Sequence, residues 1–492
     1  MAGKKIKTEK LSKDTVEIKV SNLPGQPPPT MNSLEVSFQS TRPSGLPRSE
    51  GISQITISAY KSINSTQSLE IRPLTILAGA NSSGKSSFLQ PLLLMKQTLE
   101  SSFDSGALLL NGSHANFSDA NQLLSKTSNT KNFNIEFKET SGEIFSFEFS
   151  ANASRRFDIS SQTYTGKFGH IQIYPSMTQE QILHSIPTLK KLLQRTKNSR
   201  NISKQITLSV VPNRCFLEIT ARIDLNGTSK ATVPNLFPIL QQLSGLTDPL
   251  KYEILRTIHL PGLRGNPART YQMTPSPAFY FPGTFETYTA GILLEWSQQK
   301  MVEKIAAVER ALETLGLAWK VTATIVDGTQ IELKVPRVLT RSKKNEGDFV
   351  NIADVGIGVS QILPVVVALN AAQTNQLVYI EQPEIHLHPR AQTAMANVLA
   401  DAAKRGVRVV AETHSSLLLL GIQTLIAEGK LSPDLVKLHW FSRDENGATS
   451  IRSADLDESG AFGDWPEDFD DVTLEAQSRY LDAAESRQQR IY

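Results

Sequence analysis

Cysteine is almost absent: Cys215 is the one copy in 492 residues. That excludes an intramolecular disulfide and any cysteine-based zinc cluster, and it fits a reducing compartment. No run approaches ~18 uninterrupted apolar residues, and the start, Met1-Ala2-Gly3-Lys4-Lys5-Ile6-Lys7, lacks the apolar core of a signal peptide. No membrane association is therefore expected, and the cytoplasm is the expected location. Neither charge dominates: 51 basic residues meet 48 acidic ones, a net of +3, so the chain as a whole does not read as a nucleic-acid binder, whatever a local patch does. There is no internal repeat and no sustained a/d heptad pattern, which excludes an extended coiled-coil arm. What is present is 39% hydrophobic residues, enough for well-buried cores in about two to four domain-sized units.

The most specific local signal is Gly79-Ala80-Asn81-Ser82-Ser83-Gly84-Lys85-Ser86, a complete GxxxxGK[ST] phosphate loop (Walker A), directly after the apolar run Leu74-Thr75-Ile76-Leu77-Ala78. The glycines let the backbone curl around phosphates with its N–H groups inward, Lys85 reaches the β and γ phosphates, and the Ser86 hydroxyl ligates Mg2+. A helix is expected to start here and run through Met95. Gly79, Asn81, Ser82, Ser83, Gly84, Lys85, Ser86 and Ser87 are the candidate nucleotide ligands, with ATP and Mg2+ as the cofactors.

Upstream, residues 1–50 are rich in Pro, Ser, Gly and Lys and read as a flexible extension. Residues 51–130 form a first ATPase lobe, and 131–345 an α+β insertion. Within the insertion, Asn132–Phe137 and Ile144–Phe149 alternate around Thr140-Ser141-Gly142 as a β-hairpin. Strands follow at Gln205–Val211 and Cys215–Ile223, then a helix over Gln298–Leu315 and a hairpin pairing Lys320–Val326 with Gln330–Val335. A helix over 178–204 carries Lys190, Lys191, Arg195, Lys197, Arg200 and Lys204, a solvated face or a contact for DNA, RNA or an acidic partner. Residues 346–450 make a second lobe and 451–492 an acidic tail.

The second lobe holds the second chemical cluster. Leu377-Val378-Tyr379-Ile380-Glu381-Gln382-Pro383-Glu384 is an apolar strand ending in acid, where a P-loop ATPase needs a carboxylate to hold magnesium, and Glu381 is placed for that. The strand Val407–Ala411 closes with Glu412-Thr413-His414-Ser415, and His414 is the candidate for sensing the γ phosphate or holding the attacking water. His386 and His388 have no third ligand nearby, so zinc is not expected. Gly356-Ile357-Gly358-Val359-Ser360-Gln361 leads into an apolar helix and offers a second helix N-terminus for an anion. One nucleotide does not need two such ends within one chain. Two chains arranged head to tail do.

Taken in order, GANSSGKSS, DVGIGVSQILP, LVYIEQPEIHLHP and VVAETHSSLLL resemble the ABC-type ATPases related to RecF, SMC and the OLD nucleases. The resemblance is closer to a bacterial branch that includes ATPase subunits of the antiphage systems Septu, some retrons and PARIS. His259-Leu260-Pro261-Gly262-Leu263-Arg264, Arg269, Tyr271 and the stretch Gly463–Phe469 add to it, so that it covers about 51–475. It implies an α/β fold, an ABC-type P-loop ATPase head with a mixed β-sheet core, a large α+β insertion and no long coiled coil. It further implies that Lys85 and Ser86 bind phosphate and magnesium, that Gly358, Val359 and Ser360 act across a homodimer or higher homo-oligomer interface, that Glu381 stands at the magnesium position, and that His414 is the switch histidine.

Two positions depart from the family pattern. Gln382 replaces the usual catalytic glutamate with an amide that cannot take a proton, leaving Glu384 as the nearest carboxylate, so hydrolysis is expected to be slow and the ATP-bound dimer long-lived. The glutamine that many relatives place between the first two motifs is unassigned, with Gln90 and Gln97 available. The tail after His414 is too short for the Toprim domain of OLD nucleases. The chain is therefore expected to regulate a separately encoded effector, a nuclease or toxin, in antiphage defence. A RecF-like DNA-repair ATPase and a non-hydrolysing nucleotide-dependent scaffold are the alternatives.

Overall fold

The computed structural model describes residues 33–36, 51–126, 131–187, 189–190, 206–224, 245–275, 280–338, 347–463 and 479. Two compact units are present, a larger one over 43–175, 212–217 and 247–492 and a smaller one over 1–42, 176–211 and 218–246.

The larger unit is built on a six-stranded sheet whose order is Ile258–Leu260, Leu377–Glu381, Arg408–Thr413, Leu74–Gly79, Val436–Arg443 and Thr449–Ala454. Its first five strands run parallel and the last is antiparallel to its neighbour. Leu74–Gly79 is buried along its whole length, and Leu377–Glu381 and Arg408–Thr413 at all but one position each. Continuous apolar runs of this kind belong to parallel strands covered on both faces. The core they share with the helices Ile357–Ala371, Pro389–Lys404 and Ser416–Ala427 includes Ile76, Val366, Val378, Leu399, Val409 and Ile422. Parallel register also lines up strand ends: Glu381 stands opposite Glu412, and Thr413 opposite Ala78.

A second six-stranded sheet in the same unit is an antiparallel meander beside the strand Ile52–Ser58. The expected hairpin is there as Asn132–Glu139 and Ile144–Ala151, in a register that pairs Phe133 with Phe149, Ile135 with Phe147 and Phe137 with Phe145. The odd-numbered residues are buried, and Phe133 and Phe149 stack at 5.3 Å. Region 131–345 is thus not one separate block. Its first strands pair with Ile52–Ser58, because the phenylalanine face of the hairpin needs a sheet to lie in, and its later helices join the central core.

Several boundaries move. The helix expected over 298–315 is observed as Val302–Thr314, and a further helix, Thr289–Gln298, precedes it, the two separated where Lys300 takes a left-handed φ of 55°. In the smaller unit the helix expected over 178–204 begins as Gln179–Ser185, opened by a Thr178/Gln181 capping box, breaks at Ile186, which precedes Pro187 and so leaves the helical region, and is helical again at 187, 189 and 190. Of its basic residues Lys190 is described; Lys191, Arg195, Lys197, Arg200 and Lys204 lie outside the described residues. So does most of 1–50, although Ser33–Val36 is a strand paired with 221–224. The tail begins later than residue 451, since Thr449–Ala454 is the edge strand and Asp455 pairs with Lys437 at 2.9 Å and Arg72 at 2.8 Å. Among the described residues no helix is long and apolar enough to cross a membrane, and Cys215 is a buried free thiol.

His439 shows how tightly this edge is made. It is wholly buried; Nε2 donates to the Glu70 carbonyl at 2.9 Å, which leaves Nδ1 to accept from the Ser453 hydroxyl at 2.8 Å. A neutral ring satisfies both contacts, and burial pushes its pKa down to about 4 from 6.5. Between those values the unfolded chain binds a proton that the native state does not, so stability is complete above pH ~6.5 and falls toward pH 4 by up to about 1.4 kcal/mol per pH unit. Chemical denaturation of His439→Gln over this range is expected to show a flatter acid decline than the parent chain.

Candidate functional site

The turn between Leu74–Gly79 and the helix Lys85–Glu100 is the phosphate loop. Gly79 sits at φ 141°, where a Cβ would collide with the Phe441 carbonyl, and Gly84 at φ 106°, where one would collide with the Thr449 hydroxyl. Only glycine fits either place. Thr449 donates its hydroxyl to the Ser83 carbonyl at 2.9 Å and accepts from Ser62 Oγ at 2.8 Å, so the edge strand clamps the loop from outside. Gly84 caps the helix without any side-chain hydrogen bond, leaving the first-turn N–H groups available to an anion. Ala80, Asn81 and Ser82 are exposed; Ser83, Gly84 and Lys85 are buried.

Lys85 Nζ donates to the Gly79 and Ala80 carbonyls at 2.9 and 2.8 Å. Burial pushes its pKa down to about 8, against the opposing pull of Glu412 and Glu384. Ser86 Oγ donates to Glu412 Oε2 at 2.7 Å, and the Tyr379 hydroxyl donates to Glu412 Oε1. Glu412 is 2% exposed, and burial followed by the Glu381 charge pushes it up to about 7 despite these hydrogen bonds and Lys85. The carboxylate touching Ser86 in this structure is therefore Glu412, which is not among the residues expected from the sequence to serve the site. Its signal was available: like Glu381, it ends an apolar strand, and Thr-His follows it.

Glu381 lies in register beside it with both oxygens engaged, Oε1 at 3.3 Å from His259 Nε2 and Oε2 accepting from the Gly262 N–H at 3.1 Å. Ser86, Glu412 and Glu381 together offer oxygen donors and two carboxylates, one pushed up by the other's charge. That set fits a hard divalent cation such as Mg2+. Ser86, Glu412 and Glu381 would hold such an ion, which would supply positive charge to offset that of a bound phosphate.

Gln382 follows in a left-handed conformation, φ 46°, while its N–H still donates to the Glu412 carbonyl at 2.9 Å. The buried Arg264 donates to the Glu381 and Gln382 carbonyls at 2.6 and 3.3 Å and to the Gln361 carbonyl at 3.4 Å, tying this turn to the helix Ile357–Ala371. Glu384 Oε1 accepts from Thr413 Oγ1 at 2.7 Å and from the His414 N–H at 2.9 Å, whereas Oε2 is buried with no hydrogen-bond partner among the described residues. Burial raises Glu384 above the usual carboxylate range. His414 is pushed down by burial and then by Lys85, which keeps its ring neutral near pH 7.

The apolar helix expected after Gln361 already starts at Ile357, so Gly358 and Ser360 lie in its first turn. Gly356 and Ile357 are exposed, the cap has no side-chain bond, and Ser360 Oγ donates to the Ile357 carbonyl at 2.8 Å. Among the described residues no hydrogen bond joins Gly358 or Ser360 to the phosphate loop. Gln90 accepts from Lys61 Nζ at 2.6 Å and Tyr60 at 3.3 Å, and Gln97 is spent on the loop 109–115. Among the described residues no group of three or more His, Cys, Asp or Glu side chains is arranged to hold a metal, and His388 instead caps a helix at the Arg390 N–H.

No curated protein matches the sequence. Three solved structures align over most of the chain at low similarity. They are an SMC head bound to the C-terminal winged-helix domain of ScpA (11% identity, 83% of this chain and 99% of that one, TM-score 0.42), an SMC head with extended coiled coil bound to the C-terminal domain of ScpA from Pyrococcus furiosus (11%, 88% and 99%, 0.41), and an SMC head domain from Thermotoga maritima (10%, 82% and 100%, 0.35). A protein-family match spans residues 74–208 and 275–420, more than half of the chain, and takes in both the phosphate loop and the Glu381 to His414 cluster. The chain belongs to that family, the AAA domain family described as "AAA domain, putative AbiEii toxin, Type IV TA system".

Proposed function

We propose that this protein is an ABC-type ATPase that binds ATP with Mg2+, dimerises or assembles further on it, hydrolyses it slowly, and thereby controls a separately encoded nuclease or toxin in bacterial antiphage defence. The observation carrying this reading is an asymmetry. Lys85, Ser86, Glu412 and Glu381 gather within one chain as a phosphate and cation side, while the helix start at Gly356 and Ile357 is exposed and the cap carries no side-chain bond. A second copy supplies a natural complement: its Ser360 and first-turn N–H groups face the γ phosphate held by Lys85 of the first.

Slow turnover follows from the groups around the attacking water. Gln382 orients but does not accept a proton. Glu384 has one oxygen committed to Thr413 and His414, and only Oε2 left to serve as base. His414, neutral and beside Lys85, is suited to a hydrogen bond with the γ phosphate.

Phosphate release from the parent chain is expected below about 1 per second, at least tenfold under a median enzyme's ~10 per second. Lys85→Ala is expected to abolish it and Glu384→Gln to lower it a further ~10- to 100-fold. Light scattering with ATP and Mg2+ is expected to give a dimer or larger species that Ser360→Arg prevents. Turnover insensitive to Lys85→Ala, or a monomer at saturating ATP, would remove the proposal. Release at background in both parent and Glu384→Gln, with ATP still driving assembly, would make the protein a scaffold. Glu412→Gln keeps the Ser86 contact and deletes the charge; calorimetry should show ATP affinity in Mg2+ reduced at least ~10-fold.

A further inference from the structure

A line of buried polar side chains runs from the far end of the loop helix to Glu381. Lys96, wholly buried, sets its ammonium 2.6 Å from Glu100 Oε1, one helical turn on. Glu100 Oε2 lies 3.1 Å from His114 Nε2, His114 Nδ1 lies 3.0 Å from His259 Nδ1, and His259 Nε2 reaches Glu381. Lys96, Glu100 and His114 belong to neither the phosphate loop nor the strand ends, yet ordering two histidines and an ion pair in the core costs desolvation that a few apolar side chains would avoid.

The surroundings hold this line in place. Gln97 fastens the loop that carries His114 with all of its amide, Nε2 donating to the Leu109 and Ala115 carbonyls at 2.6 and 3.2 Å and Oε1 accepting from the His114 and Ala115 N–H groups at 3.1 and 2.9 Å. Lys96 also donates to the Leu255 carbonyl at 2.6 Å, just ahead of the strand bearing His259. The His259 ring stacks on Tyr379 at 5.3 Å and 9°, and the Tyr379 hydroxyl holds Glu412. Despite burial, their hydrogen-bonding partners keep both Glu100 and Glu381 below the usual carboxylate value. Glu100, His114, His259 and Glu381 thus stand in one continuous file of contacts at 3.0 to 3.3 Å.

We propose that His114 and His259 are positioning residues that fix the Glu381 carboxylate for a divalent cation and tie its setting to the C-terminal end of the loop helix. This rests on the cation-facing reading of Glu381 given above. A strand-end glutamate has several rotamers of similar energy; the contacts to His259 and Gly262 select one, and His114 and Glu100 hold the His259 ring in turn. Partners behind a metal-binding carboxylate are commonly worth 10- to 100-fold in metal affinity.

The test is the affinity of the full chain for the fluorescent nucleotide MANT-ADP with and without Mg2+. His114→Phe is expected to lose about tenfold of the Mg2+-dependent gain while affinity without Mg2+ is unchanged. His114→Gln, whose amide spans both neighbours, is expected to recover most of it. Glu100→Gln, nearly isosteric, reads the same line if His114→Phe does not fold. A full Mg2+ gain in both His114→Phe and Glu100→Gln, alongside its loss in Glu381→Gln, overturns the positioning role and leaves the reading of Glu381 intact. A full gain in Glu381→Gln overturns both. Equal losses with and without Mg2+ in every line variant mark a structural role and also overturn the proposal.

Discussion

One buried carboxylate organises the centre of this protein. Glu412 takes hydrogens from Ser86 of the loop helix and from Tyr379 of the neighbouring strand, and it can do so only because three parallel strands end in register. A slip of one residue in Arg408–Thr413 would turn Glu412 to the other face of the sheet and leave Ala411 or Thr413, neither a carboxylate, against Ser86. The same register sets Glu381 beside it and His414 next to Lys85. The site is in this sense a property of strand alignment before it is a property of loops.

Around that register the protein uses buried cations to hold backbone. Arg264 and Lys96 both spend their hydrogens on carbonyl oxygens, Arg264 at the Glu381-Gln382 turn and the helix Ile357–Ala371, Lys96 at the segment before Ile258–Leu260. Each is expensive to bury and more expensive to strip of partners, a loss on the order of 3–5 kcal/mol. They connect the loop helix, the strand ends and the helix of Gly358 and Ser360 by polar contacts, which, unlike apolar packing, have few alternative arrangements. A site expected to hold ATP for long periods benefits from that rigidity.

Much of this was legible in the sequence because it is local. The phosphate loop announces itself through glycine and lysine spacing, and the Phe133 to Phe149 hairpin through strict alternation. The apolar strands that end at Glu381 and near His414 stand out as short runs with charged ends. What stayed hidden depends on contacts between distant segments. Nothing local says that Glu412 rather than Glu381 touches Ser86, since that follows from the order in which strands lie side by side. Thr449 as the clamp on Gly84, Arg264 as the bridge between two motifs, and the pairing of His114 with His259 all join segments more than 90 residues apart. Two local breaks are also invisible to an amphipathic pattern: Ile186 before Pro187, and the left-handed Lys300 between Thr289–Gln298 and Val302–Thr314.

We propose that this chain holds half of a composite nucleotide site centred on Ser86 and Glu412. A crystal structure with a slowly hydrolysed ATP analogue and Mg2+ addresses it most directly. Lys85 Nζ should leave the Gly79 and Ala80 carbonyls for the phosphates, the cation should lie against Ser86 and the Glu381–Glu412 pair, and Ser360 of a second copy should face the γ phosphate. A nucleotide bound with no second chain at its γ phosphate, or a cation seated away from Ser86, would contradict it.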